Sequence, residues 1–78
     1  MKRSLETVLD DLASNLRAAR VAAGISQEEL ALTAEIDRTY VSQIERGIGN
    51  PSVRVLVKLA ACLRLDPADL LLSRRAKG

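Results

Sequence analysis

The sequence predicts an all-α fold, a compact domain of five helices, and two observations carry that prediction. Apolar residues recur at steps of three and four along most of the chain, which is the spacing of one helix face. Only four glycines and two prolines interrupt 78 residues, and no alternating run is long enough for a strand. A chain of this length supports one hydrophobic core. We therefore expect a single domain over residues 1–78, with a core at about 5–72 and a flexible basic tail at 73–78.

The first two helices are predicted at about residues 4–23 and 27–34. Gly24 ends the first helix, because glycine adopts the left-handed conformation that closes a helix at little cost. Ser26 and Glu29 then have the spacing of a capping box, which satisfies free amides at a helix start. The apolar face of the first helix consists of Leu5, Val8, Leu9, Leu12, Leu16, Ala19 and Ala23. That of the second consists of Leu30, Ala31 and Ala34.

The third helix is predicted at about residues 38–46, between a cap at Asp37 and a terminator at Gly47. At about 100° per residue, its inner side should carry Tyr40, Val41 and Ile44. The residues at 47–51 are rich in turn formers, so a loop should follow.

The last two helices are predicted at about residues 53–63 and 67–72. Ser52 can cap the fourth helix, and Asp66 can cap the fifth. Pro67 suits the first turn of a helix, where its missing amide hydrogen is not needed. The inner face of the fourth helix is predicted to consist of Val53, Leu56, Leu59, Ala60 and Leu63.

Composition excludes several kinds of site. The chain has one cysteine, Cys62, and no histidine, so an internal disulfide, the usual zinc sites and nucleophile dyads cannot form. We expect no metal, no cofactor, no small-molecule ligand and no enzymatic activity. The N-terminal segment carries acidic residues among its leucines, and no apolar run has membrane length, which predicts a cytoplasmic protein without membrane association. The net charge of +2 is compatible with an anionic partner without establishing one.

The outer side of the third predicted helix is polar. A helix fits the major groove of duplex DNA, where arginine and glutamine can pair with base edges and hydroxyl groups add short contacts. Any surface helix has a polar outer side, so this pattern alone also fits an ordinary solvent-exposed helix. The polar residues are Thr39, Ser42, Gln43 and Arg46, with Arg38 on a flank.

The segment SQEELA, an apolar joint, DRTYVSQIERG and a following Pro-Ser together resemble the phage-repressor class of helix-turn-helix proteins, of the Cro and lambda-repressor type. The similarity covers about residues 9–72 and implies a lambda-repressor-like domain with the helix-turn-helix at helices two and three. In that family the second helix of the motif enters the major groove and the first lies across the backbone. The resemblance implies base contacts from Arg38, Thr39, Ser42 and Gln43.

Phosphate contacts are expected on both sides of this helix. The resemblance implies that Gln27, in the first turn of helix two, holds a phosphate near the positive end of that helix. Around the loop after helix three, Arg46, Asn50 and Arg54 can bind phosphates, with Arg46 and Asn50 preferred. Such contacts add affinity and salt sensitivity without reading sequence.

Glu45 borders the inner side of helix three, where a carboxylate would not meet DNA, so we assign it to the fold. The resemblance implies an ion pair between Glu45 and Arg20 that fixes helix orientation. The family commonly has glycine at the turn position held here by Glu35, where a left-handed backbone is expected. A side chain there costs roughly 1 kcal/mol.

The C-terminal leucines are more numerous than a short fifth helix needs for its own packing. In small relatives this region pairs across a two-fold axis, which implies a homodimer. The same leucines could close the monomer core, and the sequence leaves both interpretations open. The residues concerned are Leu65, Leu70, Leu71 and Leu72.

These features favour a sequence-specific transcriptional regulator that binds a near-palindromic double-stranded DNA operator as a homodimer. A stand-alone domain of this kind also resembles restriction-modification controller proteins. Two alternatives remain: an antitoxin that also binds its own operator, and a helical protein-interaction module without DNA binding. The outward acidic residues Glu28 and Glu29 leave a contact with RNA polymerase open.

Overall fold

The computed structural model describes residues 2–74 and confirms the all-α prediction. Its helices are α1 (Leu5–Ala22), α2 (Gln27–Ala34), α3 (Arg38–Glu45), α4 (Val53–Cys62) and α5 (Pro67–Leu70). No strand occurs within residues 2–74. The predicted bounds hold to within one residue except for α5, which ends two residues earlier than expected. From residue 75 onward, the predicted basic tail lies outside the described residues.

Each helix begins at a side-chain cap, and this explains why the local signals in the sequence were informative. The predicted capping box is present, since Glu29 N donates to Ser26 Oγ at 3.0 Å and Ser26 N donates to Glu29 Oε1 at 2.8 Å. The aspartate before Pro67 caps α5 and forms a second box with Asp69. The remaining caps are Ser4, Asp37 and Ser52.

The core is one cluster of buried side chains to which all five helices contribute. α3 packs against both α1 and α2, while α5 packs against α1 and α4. The largest fully buried side chains are Leu12, Leu16, Leu30, Val41, Ile44, Leu59 and Leu70. Because Val41 and Ile44 have no exposed surface, the opposite side of α3 is held outward.

Val53 was predicted on the inner face of α4, and this prediction is wrong. Its side chain is 74% exposed, as is 48% of Val57 one turn later, while Leu56 and Leu59 face the core. Val53 is the first residue of its helix, where the apolar period alone does not decide which way a side chain points. A strip of exposed apolar surface therefore runs along α4.

Leu70 corrects the predicted dimer surface. It is fully buried within this chain, so its side chain has no surface to offer a partner, and its assignment to a dimer interface is wrong. Asn15 of α1 fixes the end of α5, because its Nδ2 donates to the carbonyl oxygens of Leu70 at 3.0 Å and Leu72 at 2.8 Å. Leu65 and Leu71 are half-buried against the core, whereas Leu72 is 59% exposed.

Candidate nucleic-acid interface

The joint between α2 and α3 is three residues long and tightly hydrogen-bonded. Glu35 adopts the left-handed conformation, with φ 60° and ψ 46°, as the resemblance to the repressor family predicts. The amide of Ile36 donates to the carbonyl of Ala31 at 3.0 Å, which closes α2. Asp37 Oδ1 then accepts from Thr39 N at 2.8 Å and starts α3. The joint thus fixes α3 relative to α2.

The outer face of α3 presents the residues predicted to contact bases. Arg38 and Thr39 are exposed, and Ser42 and Gln43 are half-buried. Residues three and four positions apart share one side of a helix, so these four side chains form one polar surface. It combines a guanidinium, two hydroxyls and an amide, which are donors and acceptors suited to base edges.

The loop after α3 is folded back onto the end of that helix. The carbonyl of Gln43 accepts from Ile48 N at 3.1 Å and from Gly49 N at 3.0 Å. A Cβ atom at Gly49 would lie 2.9 Å from Ile44 N, so only glycine allows this approach without displacement. Tyr40 Oη donates to the carbonyl of Asn50 at 3.5 Å. The backbone of Asn50 is thereby tied to α3.

Three of the four predicted phosphate-contacting residues lie in the loop that follows α3 or just after it. Arg46 and Asn50 are exposed on the loop, and Arg54 is exposed in the first turn of α4. Arg46 and Asn50 extend from backbone that the loop hydrogen bonds hold in place. The fourth, Gln27, lies at the start of α2 and is half-buried.

The predicted ion pair between Arg20 and Glu45 is present. Arg20 Nε donates to Glu45 Oε2 at 2.6 Å, and Arg20 Nη2 donates to Glu45 Oε1 at 3.0 Å. The side chains are 13% and 2% exposed, respectively. Arg20 Nη1 also donates to the carbonyl of Ile25 at 2.8 Å. One guanidinium therefore ties α1 to the residues before α2 and to the end of α3.

The charges in this pair are mutually stabilised. Burial by itself raises the pKa of the Glu45 carboxyl. The hydrogen bonds from Arg20 and Gln27 and the charge of Arg20 outweigh that effect, so the pKa lies below its ordinary value. The hydrogen bond to Glu45 likewise raises the pKa of Arg20 against the effect of burial. Both groups are ionised at neutral pH.

Two arrangements were not anticipated from the sequence. Gln27 Nε2 donates to Glu45 Oε1 at 3.1 Å, so the predicted phosphate ligand also belongs to the ion-pair network. The carboxylate of Asp11, 4% exposed, accepts from Arg3 Nη1 at 2.7 Å and from Arg74 N at 3.3 Å. Neither arrangement has a local signal, because the partners are distant in sequence.

Other kinds of site receive no support from residues 2–74. No group of three or more potential metal ligands occurs there, and no helix in that range is both long and apolar enough to cross a membrane. Cys62 is half-buried, and burial raises the pKa of its thiol. A raised pKa disfavours the reactive thiolate, and Cys62 packs against the hydrophobic core.

Comparison with known proteins gives the family. The helix-turn-helix family profile matches residues 16–70. A hypothetical transcription factor from Neisseria meningitidis serogroup B is 48% identical over 61 residues, which are 78% of this chain and 58% of that protein. The chain thus spans a little over half the length of that curated relative.

Two solved structures are similar over most of the chain. The restriction-modification controller protein C.AhdI from Aeromonas hydrophila superposes with a TM-score of 0.77 at 42% identity, covering 80% of this chain and 94% of that one. The hypothetical transcription factor NHTF from Neisseria has a TM-score of 0.85 at 38% identity, covering 99% and 88%. These relationships confirm the predicted helix-turn-helix domain and its likeness to transcription factors and restriction-modification controller proteins. The chain belongs to the helix-turn-helix family.

Proposed function

We propose that this protein binds a specific duplex DNA operator as a homodimer, with α3 in the major groove. The observation that carries the proposal is the two-sidedness of α3. Val41 and Ile44 are fully buried on one side, while the side chains that can read base edges stand on the other. A rigid helix that presents donors and acceptors outward can discriminate base pairs by hydrogen bonding.

Within this proposal the four outer residues of α3 make two kinds of base contact, because their side chains differ in length. Arg38 and Gln43 can each make bidentate contacts, to guanine and adenine edges respectively. Thr39 and Ser42 are short and can add hydroxyl or methyl contacts nearer the helix axis. Loss of a bidentate pair should cost about 1–3 kcal/mol of discrimination at one base pair.

Phosphate contacts complete the proposed interface. Arg46 and Asn50 on the loop, with Arg54 at the start of α4, would hold one stretch of backbone, and Gln27 would hold another at the start of α2. These contacts set register and affinity without reading sequence. Each neutralised phosphate steepens the salt dependence of binding by about one unit of slope.

The homodimer is supported by apolar surface that the monomer leaves exposed. Leu72 is 59% exposed and keeps the C-terminal contact available. Val53 and Val57 add the exposed strip on α4, since residues four apart lie on the same helix face. A second copy covering such surface would place two α3 helices on half-sites roughly 34 Å apart along the DNA.

The controller-protein subtype is supported by the similarity to C.AhdI, whose solved chain is matched over 94% of its length. A small regulator of this kind would control its own operator through its concentration. The cytoplasmic location expected from the sequence is part of the same proposal, because the proposed binding partner is duplex DNA.

An activating contact with RNA polymerase is a further part of the proposal. Glu29 is held by the capping box, so Glu28, which is exposed, is the better acidic candidate on α2. Leu32, one turn later, is 79% exposed and could add apolar contact beside it. Replacing Glu28 by alanine should lower transcriptional activation while operator affinity stays unchanged.

Selection of bound sites from random duplex DNA at fixed salt tests the main proposal. We expect a near-palindromic consensus for the wild-type protein. Gln43→Ala should relax preference at one position of each half-site. Arg46→Ala should weaken binding to all sequences and lower the salt slope by about 1.

A matched control is available for the loss of charge. Arg64 follows α4, about 15 Å along the helix from the loop after α3, and has φ 58°. Arg64→Asn removes the same charge and tolerates that left-handed backbone, so it should leave the salt slope closer to wild type than Arg46→Ala does. Absence of any consensus, or effects of Gln43→Ala and Arg46→Ala in the reverse pattern, would overturn the proposed roles.

A further inference from the structure

The Glu45 carboxylate links its ion-pair partner, Arg20, to Gln27, the residue of α2 that is proposed to contact DNA. It is the last residue of α3 and its side chain is 2% exposed. Its Oε1 atom accepts from Arg20 Nη2 at 3.0 Å and from Gln27 Nε2 at 3.1 Å. The carboxylate therefore lies between α1, the first turn of α2 and the end of α3.

This contact fixes which way the Gln27 amide points. An ionised carboxylate only accepts hydrogen bonds, so Gln27 must turn its NH2 group toward Glu45. One of the two N–H bonds is used in that contact. The second N–H remains available to an acceptor outside the protein, because Gln27 is only half-buried.

Holding the side chain in this way has an energetic consequence for binding. A free glutamine side chain loses up to about 1.5–2 kcal/mol of rotamer freedom when it is ordered. A glutamine already ordered in the free protein does not lose that freedom again when it meets a ligand. The Gln27 side chain is thus already ordered in the free protein, before DNA binds.

We propose that Glu45 is a positioning residue for DNA binding, which orients Gln27 so that its second amide N–H meets one phosphate of the operator. The inference rests on the proposed phosphate contact of Gln27. Glu45 itself does not touch DNA. Glu45 is the last residue of α3. Its hydrogen bond to Gln27 therefore fixes the position of the proposed phosphate contact on α2 relative to α3, the helix proposed to contact bases.

The test needs a protein that lacks the carboxylate and still folds. Removing Glu45 alone leaves the Arg20 guanidinium buried without its partner. Replacing both members of a buried pair by apolar residues of similar size is often neutral or stabilising. The double variant Arg20→Met/Glu45→Leu therefore removes the acceptor of Gln27 while keeping the packing volume.

Operator affinity is then measured for Gln27→Ala in the wild-type background and in the double variant. We expect a loss of roughly tenfold in the wild-type background and of only about two- to threefold in the double variant. An equal loss in both backgrounds would overturn the inference, because Gln27 would then be oriented without Glu45.

Operators that carry a neutral methylphosphonate at one position at a time identify the phosphate concerned. In the wild-type protein several positions should weaken binding, and the sensitivity at the position that Gln27 contacts should disappear in Gln27→Ala and shrink in the double variant. Sensitivity of the same size in the double variant would overturn the positioning role alone. If Gln27→Ala left the wild-type profile unchanged, the phosphate role of Gln27 would fail and the inference with it.

A measurement on the wild-type protein without DNA keeps the inference testable if the double variant does not fold. Relaxation of the Gln27 side-chain amide by 15N NMR should show an order parameter close to that of rigid backbone, about 0.85. A value below about 0.6 would mean a freely moving side chain, and the inference would be wrong.

Discussion

Glu45→Ala should strongly destabilise the fold. The substitution removes acceptors for two hydrogen bonds from Arg20 and one from Gln27. The guanidinium that remains is 13% exposed and loses its counter-ion. Breaking a buried pair by removing one partner typically costs about 3–5 kcal/mol. A domain of this size is stable by only roughly 4–12 kcal/mol, so a large part of the total would be lost.

Thermal and urea unfolding followed by circular dichroism measure this loss. At about 4–8 °C per kcal/mol for a domain of this size, the midpoint should fall by at least about 12 °C. Protein concentration must be equal in all samples, because the proposed dimerisation would make the midpoint concentration-dependent. Glu28→Ala is the matched control, since it removes an exposed carboxylate from α2 and should change the midpoint little.

The pH dependence of the free energy of unfolding is a second test of the ion pair between Arg20 and Glu45. Because the pKa of Glu45 lies below its ordinary value of 4.5, the stabilisation is fully present above that pH. It is lost as pH falls through the lowered pKa. The stability difference between wild type and Glu45→Ala should therefore narrow in acid. Unchanged melting of Glu45→Ala at neutral pH, combined with lost DNA binding, would refute the structural assignment.

Three further substitutions probe other parts of the structure. Glu35→Gly should raise the free energy of unfolding by up to about 1 kcal/mol in urea titrations, because it relieves a left-handed side chain; a loss of stability would contradict this. Gly49→Ala should cost about 1–3 kcal/mol and weaken operator binding, since its Cβ would lie 2.9 Å from Ile44 N; an unchanged midpoint would show that the loop yields. Val57→Lys should shift sedimentation toward monomer, whereas Val21→Lys, at a valine 61% exposed on α1, should not; equal effects would remove α4 from the proposed dimer.

The helices were predictable because their signals are local. The capping box of Ser26 and Glu29 and the pair Asp66–Pro67 each act within three residues, and they set the helix starts that the structure shows. Helix length in the first four elements followed from the apolar period. The left-handed backbone at Glu35 could be expected only from the resemblance to a family, since glutamate itself does not favour it.

The end of α5, the burial of Leu70 and the hydrogen bond between Gln27 and Glu45 were not predictable in the same way. At the end of α5, Asn15, 55 residues earlier in the chain, donates to the carbonyl of Leu70, the last residue of the helix. Leu70 is buried because α5 folds across α1 and α4, which no local pattern indicates. The bond between Gln27 and Glu45 spans 18 residues. Each of these features depends on how helices pack and not on their own sequences.

The packing also explains how so short a helix can present a defined surface. α3 has eight residues, fewer than an isolated helix needs to persist in water. Its geometry is imposed by the Asp37 cap, by two fully buried side chains, by the loop bound to the Gln43 carbonyl and by the Glu45 pair. All of these act through the ends or the inner side of the helix. None of these contacts uses the outer side chains, so the surface proposed to meet DNA can vary in chemistry while its position stays fixed.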